Sequence, residues 1–253
     1  METTLTLGDV EVARIGLGTN RLRDTSENAA FVRLAVAAGV GYVDTAHTYT
    51  DGESERTIGA ASTGLQVVVG TKGGFAPGTG SPERLRAQVD ESLRRLRVES
   101  LALYYLHRVD PETPLEESLG ALAECREAGK IRHVGLSHVD VEQIERARRV
   151  VPVTAVQNHY NLAQRRYDDV VDHCARVGIV FVPYFPLRDD GGRPVAEIAE
   201  RRGATPAQVA LAWLLSRSPA MLPIPGSLSI DHVRKNLAAL ELELSDEDLA
   251  TLS

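Results

Sequence analysis

Only two cysteines occur in the 253 residues, Cys125 and Cys174, and they share no metal-ligand spacing. That argues against a disulfide framework and against a cysteine zinc site. Lysine is nearly as scarce. Lys72, Lys130 and Lys235 are the three in the chain, and the rest of its 28 basic residues are arginines. No stretch approaches the ~18 apolar residues of a membrane span, and the N-terminus has no basic segment leading into an apolar one. A net charge of −7 argues against nucleic acid as the main partner. Hydrophobic content is ordinary at 43%, so disorder is not expected either. These absences predict a soluble cytoplasmic protein, a monomer or weak oligomer, with no nucleic-acid or membrane partner.

Three apolar runs end in chemistry. Gly41-Tyr42-Val43 leads into Asp44-Thr-Ala-His-Thr-Tyr49, residues 66–71 lead into Lys72, and Leu101–Leu106 leads into His107. Continuous apolar runs bounded by helical patterns read as buried parallel strands. On an eight-fold β/α barrel, polar residues at the C-terminal strand ends form the active site. With so few lysines, one placed directly after a buried strand stands out.

The remaining punctuation fits that architecture. Residues 3–13 read as a hairpin turning at Gly8-Asp9 that plugs the barrel bottom, and Ile15–Thr19 as the first barrel strand. Helices are expected at about 26–38 and 53–61, from Ser81-Pro82, from a capping box Thr113–Glu116, from Asp140, near 165–177, near Pro194, and from Thr205 and Ser229. Strands at Ile131–Leu136, Val153–Gln157, Ile179–Tyr184 and Leu222–Ile224 complete eight, and Ser245 starts a tail helix. The predicted fold is α/β, a single (β/α)8 TIM barrel over residues 1–253 with an N-terminal β-hairpin and a short C-terminal helix. An open doubly wound sheet is the competitor. It is weakened because Gly16-Leu-Gly18-Thr-Asn-Arg21 lacks the third glycine of a dinucleotide fingerprint.

Asp44, Tyr49, Lys72 and His107 suit proton delivery to an oxygen that gains negative charge. A phenol is a poor acid at neutral pH, with a reference pKa near ~10. An ammonium ~4 Å away favours the phenolate by roughly 4 kcal/mol at an effective dielectric of ~20. Asp44 can hold the lysine charge, and a neutral His107 can orient a substrate oxygen. No metal is required.

The chain resembles an aldo-keto reductase along nearly its whole length. The likeness is carried by Gly16–Thr19, by Asp44–Tyr49 continuing through Glu53-Ser54-Glu55 to Ile58-Gly59, and by Thr71–Phe75. Leu103–His107, Arg132–Ser137, Gln157–Leu162, Tyr184–Leu187 and Ile224–Ser227 complete it. The resemblance implies that Asp44, Tyr49, Lys72 and His107 are the catalytic tetrad, with Tyr49 the proton donor. It also implies NADPH as hydride source, bound without a Rossmann domain, and a small-molecule carbonyl substrate. Ser137, His138 and Gln157 match the positions that hold the nicotinamide carboxamide. His138 stands where the family usually has Asn, and an imidazole can still donate one hydrogen bond. Tyr184 matches the aromatic that stacks on the ring, and Gly18 and Thr19 lie beneath its reactive end. Phe185 and Leu187 match residues lining the pyrophosphate and ribose. Gly226, Ser227, His232 and Asn236 fall where the 2′-phosphate end is held. Gly226 replaces the usual lysine there, and His232 falls near the usual arginine, which implies a weakened preference for NADPH over NADH. The Ile-Pro-Gly-Ser form resembles a bacterial branch that includes pyridoxal reductases. Brief segments after His107 and Leu187 predict a shallow, open substrate site. A cofactor-binding regulatory protein with negligible turnover is the alternative reading, and a barrel enzyme of other chemistry a third.

Overall fold

The computed structural model describes residues 2–61, 64–188 and 191–252. Strands β1 (Thr4–Leu7) and β2 (Val10–Ala13) pair antiparallel around Gly8-Asp9, and Gly8 adopts a left-handed φ of 68°. Asp9 ties the hairpin to the strand at Ile131–Ser137 by accepting from His133 Nε2 at 2.8 Å and by pairing with Arg132. Leu7 and Val12 pack in one cluster with Tyr42, Leu103, Tyr105, Val180 and Leu222, so the hairpin fills the barrel interior as expected.

Seven parallel strands follow in sheet order: β3 (Leu17–Gly18), β4 (Tyr42–Asp44), β5 (Val68–Gly73), β6 (Leu101–Leu106), β7 (Ile131–Ser137), β8 (Val153–Gln157) and β9 (Val180–Phe181). The helices are α1 (Ser26–Ala37), α2 (Glu53–Ala61), α3 (Pro82–Leu96), α4 (Leu115–Glu127), α5 (Val141–Arg148), α6 (Asp168–Val177), α7 (Gly192–Arg202), α8 (Pro206–Arg217), α9 (Ile230–Leu237) and α10 (Asp246–Thr251). A second, larger cluster joins strands to helices. It includes Cys174 with Val170 and Val171 on α6, and Trp213 with Val209 on α8, all buried.

The expected eighth strand, Leu222–Ile224, is not a regular strand. Residues 221–226 nonetheless close the curled sheet between β9 and β3. Leu222 N donates to Phe181 O at 2.9 Å and Ile224 N to Pro183 O at 3.4 Å, while Gly16 N donates to Pro223 O at 2.9 Å and Gly18 N to Pro225 O at 3.2 Å. Phe181 N returns a bond to Ala220 O at 2.8 Å, but Pro183, Pro223 and Pro225 have no N–H to add, so the ladder on both sides of the closure is thinned. The same loss shortens β9 against the expected Ile179–Tyr184.

Capping boxes form at Asp140–Gln143 and Thr205–Gln208, and Ser229 and Ser245 cap their helices. The expected box at Thr113 does not form. Pro114 occupies the cap of α4 without a side-chain bond, and Thr113 faces Asp110 instead. Helix α7 starts two residues before Pro194, which suits proline in a first turn. Asp189 and Asp190, in the brief segment expected after Leu187, lie outside the described residues. No helix among the described residues is long and apolar enough to cross a membrane.

Candidate active site

Parallel register brings the four polar residues to one end of the sheet. Gly18 pairs with Asp44, Asp44 with Gly70, and Lys72 with Tyr105. Tyr42 and Asp44, two apart on β4, share a face. A side chain at Gly70 would collide with the Tyr42 hydroxyl, so the glycine makes room for that phenol.

Lys72 is fully buried and its three donors are all spent. They reach Asp44 Oδ1 at 2.5 Å, Thr45 O at 2.7 Å and the Tyr49 hydroxyl at 3.3 Å. Burial alone would lower the lysine pKa, but Asp44 and Tyr49 outweigh it and raise it. The ammonium therefore stays charged. Asp44 Oδ2 accepts from Tyr42 at 3.2 Å and from Gln157 Nε2 at 2.8 Å. Tyr42 and Tyr105 join hydroxyls at 3.1 Å.

Tyr49 begins a tight turn, Tyr49–Gly52, in which Thr50 and Asp51 both take left-handed angles, φ 48° and 53°. Thr50 Oγ1 pins the turn by donating to Leu22 O at 2.8 Å and accepting from Ser54 N at 3.2 Å. Enclosure raises the Tyr49 pKa, and the Lys72 charge only partly opposes it. The expectation that lysine dominates is thus corrected: burial wins, because the phenolate would lose its water while Asp44 stands nearby.

The His107 ring meets Tyr49 edge-on, centroids 6.0 Å apart. Burial, reinforced by Lys72, lowers its pKa to about 2, so it is neutral. Its Nδ1 is sealed without a hydrogen-bond partner among the described residues, which leaves Nε2 for a ligand.

A cleft of about 560 Å³ opens above these groups. Of the sequence-predicted residues, Gly18, Thr19, Asp44, Tyr49, His107, His138, Gln157, Tyr184, Phe185, Leu187 and Gly226 line it. Lys72 and Ser137 lie buried beneath. Ser227, His232 and Asn236 are not brought into its wall. Ser227 bonds Ser229 around the start of α9, His232 is exposed, and Asn236 is buried within that helix. Thr19 Oγ1 donates to Asp44 O at 2.7 Å.

His138 differs from expectation. Ser137 donates its hydroxyl hydrogen to Gln157 O at 2.8 Å, so it accepts from His138 Nδ1 at 2.9 Å, and that nitrogen also reaches His107 O at 3.2 Å. Nδ1 therefore carries the proton and Nε2 accepts from the Tyr184 hydroxyl at 3.0 Å. Burial, with the Arg108 charge second, lowers the His138 pKa, so no second donor is present. Its one N–H is spent inside the protein. Tyr184 in turn stacks on His159, centroids 5.2 Å apart and nearly parallel.

Sequence reasoning missed Tyr42 and Tyr105, read only as strand residues, although the i, i+2 spacing of Tyr42 and Asp44 was a usable signal. It also missed Arg21, Phe75, Arg108 and Arg188 on the cleft wall.

The pattern described as "Aldo/keto reductase family" matches residues 14–253. The chain belongs to that family. Pyridoxine 4-dehydrogenase of Escherichia coli is 37% identical over 279 residues, spanning 98% of this chain and 96% of the relative. An aldo/keto reductase from Klebsiella pneumoniae, solved with NADP and acetate, is 32% identical with a TM-score of 0.90, covering 100% of this chain and 94% of that one. A thermostable aldo-keto reductase solved with the inhibitor epalrestat is 31% identical with a TM-score of 0.92, covering 99% and 98%. Within this family the curled sheet corresponds to a (β/α)8 barrel, and the chain is an oxidoreductase.

Proposed function

We propose that this aldo-keto reductase uses NADPH to reduce an aldehyde or ketone to an alcohol, with Tyr49 as the proton donor. The carrying observation is the Tyr49 hydroxyl, held 3.3 Å from a buried, charged lysine at the floor of the cleft and beside a neutral imidazole.

The cleft suits a nicotinamide dinucleotide. Gly18 leaves its floor bare, and a Cβ there would stand 2.8 Å from Ile224 O. Tyr184, backed by His159, offers a flat face, and Leu187 and Gly226 mark the far end. When bound, the dihydronicotinamide supplies the hydride. Gln157 and Ser137 are the residues for its carboxamide, and Arg21, Arg234 and Lys235 are candidates for phosphate contact.

The protein's own residues handle the proton and the developing charge. An Nε2–H tautomer of His107 donates to the substrate oxygen and orients it. As that oxygen becomes an alkoxide, Tyr49 gives up its proton, and Lys72 stabilises the resulting phenolate. Asp44, tethered by Tyr42 and Gln157, keeps the lysine in place. The pKa of Tyr49 is high at rest, so the phenol holds its proton until an oxygen of greater basicity forms.

The test is NADPH oxidation with a broad panel of aldehydes and ketones. Pyridoxal belongs in the panel because of the pyridoxine 4-dehydrogenase relative. NADPH binding without turnover of any carbonyl would replace this reading with a cofactor-binding protein of the same fold. Failure to bind NADPH would point to other barrel chemistry.

A further inference from the structure

We propose that Arg108 makes the substrate end of the cleft a receptor for an anionic group, so that preferred carbonyl compounds carry a carboxylate or phosphate. The proposal rests on the carbonyl-reducing role of Tyr49 and His107.

Arg108 directly follows His107, and its backbone N–H is fixed to Gly74 O at 3.2 Å. Its guanidinium lies over the Phe75 ring, 4.5 Å from the centroid, and Phe75 lies 4.8 Å from the His107 ring. Imidazole, phenyl and guanidinium thus sit side by side along one wall, the first two rings tilted by 54°. Phe75 is 40% exposed, a large apolar ring left partly open to the cleft. The ring supports the cationic head, and no hydrogen bond to another described residue takes up its N–H groups.

No carboxylate among the described residues is ion-paired with Arg108. The nearby Asp110 is occupied by the backbone N–H groups of Gly78 at 3.0 Å, Gly80 at 2.6 Å and Glu112 at 3.0 Å. The single carboxylate on the described cleft wall is Asp44, already held by Lys72. Arg21 lies two residues after Thr19, and Arg188 follows Leu187 with its guanidinium 5.2 Å from the Phe185 ring centroid, so both adjoin residues assigned to the cofactor. Among the described residues Arg108 therefore has no ion-pair partner, and it lines the cleft directly after His107, on a chain whose net charge is −7. A cleft carrying the opposite sign to its protein concentrates anions locally. A planar guanidinium binds carboxylate or phosphate oxygens in pairs. A neutral substrate that covered it would strip its water without replacing it, which adds discrimination.

The probes are 3- and 4-carboxybenzaldehyde, each beside its methyl ester, with wild type, Arg108→Met and Arg108→Lys. Methionine keeps an apolar stem over Phe75 and removes the charge. For at least one acid, wild type should favour it over its ester in kcat/KM by about tenfold or more. Arg108→Met should erase that ratio, chiefly through the KM of the acid, and Arg108→Lys should retain part of it. An acid-to-ester ratio near one for both isomers in wild type, or a ratio unchanged in Arg108→Met, overturns the proposal. Should neither acid nor ester turn over, carbonyl reduction itself fails, and binding then decides the subsite. Calorimetric titration of 3- and 4-(hydroxymethyl)benzoate and their methyl esters into NADP-loaded protein is the measurement. Tighter binding of an acid, lost in Arg108→Met, sustains the anion subsite, and equal binding refutes it.

Discussion

Tyr184 donates its phenolic hydrogen to Nε2 of His138 across 3.0 Å. The bond ties the aromatic face of the cofactor cleft to a histidine whose other nitrogen is already used. Asparagine at this position would tolerate the left-handed φ of 59° and would return a free amide donor to the cleft. His138→Asn is therefore expected to tighten NADPH binding by roughly twofold to tenfold, the range of one net hydrogen bond. Fluorescence titration measures it. Weaker binding would mean that the tether on Tyr184 matters more than the amide.

Tyr49→Phe should leave NADPH binding within about twofold and reduce kcat by ~10²-fold or more, the usual contribution of a general acid. Retention of over a tenth of wild-type kcat with an unactivated aldehyde would remove Tyr49 from the proton-donor role. Lys72→Met strands Asp44 in the interior and should cost about 3–5 kcal/mol of stability besides activity. Thermal unfolding separates that loss from the chemical one.

The pH dependence follows from two opposite shifts. Tyr49 acts only while protonated, and its pKa is raised by burial. The rate of reduction should then stay level through neutrality and decline only in the alkaline range as the phenol ionises. His107, with its pKa lowered to about 2, contributes no acidic limb near the usual histidine range. Its effect on stability has the reverse sense. The unfolded histidine takes a proton below ~6.5 while the folded one does not, so folding should lose up to about 1.4 kcal/mol per pH unit as pH falls below that point. His107→Asn should remove that portion of the slope, and urea titrations at several pH values would show whether it does.

Thr50 is a β-branched residue in left-handed backbone, an arrangement that costs of order 1–3 kcal/mol. Its two hydroxyl bonds, each worth about 0.5–1.5 kcal/mol net, offset that cost. Thr50→Gly loses both bonds and the strain, so its net change should be small. Thr50→Val keeps the strain and loses the bonds, and should be the less stable of the two by about 1–3 kcal/mol. Equal melting temperatures for the two variants would contradict this account of the turn beside Tyr49.

The strand ends were legible because each of Asp44, Lys72 and His107 terminates a run too apolar to be anything but buried. The hairpin was legible from its turn. Hydrogen-bond direction was not, since the tautomer of His138 depends on Ser137 and Gln157 from two strands meeting Tyr184 from the segment after a third. The balance at Tyr49 was equally hidden. Sequence shows that a lysine is near but not how completely the phenol is enclosed. Thr113 carried a capping signature, yet Asp110, three residues earlier, offered its hydroxyl a nearer partner. The arginines of the cleft wall escaped notice because an arginine in a loop has no periodicity to betray it.

The proline-interrupted closure has a consequence for breathing. Along the seam joining residues 221–226 to β3, Gly16 and Gly18 donate to Pro223 and Pro225 and receive no N–H from either. Fewer bonds hold this seam than hold β5 to β6, so it is where the barrel should open first. In deuterium exchange, the amides of Gly16 and Gly18 are expected to label before those of Lys72 and its neighbours. Gly18 and Gly226 face each other across that seam and also floor the cleft. A dinucleotide lying over them would act as a splint, and its grip would register as slowed labelling at two glycines that themselves contribute no side chain to hold it.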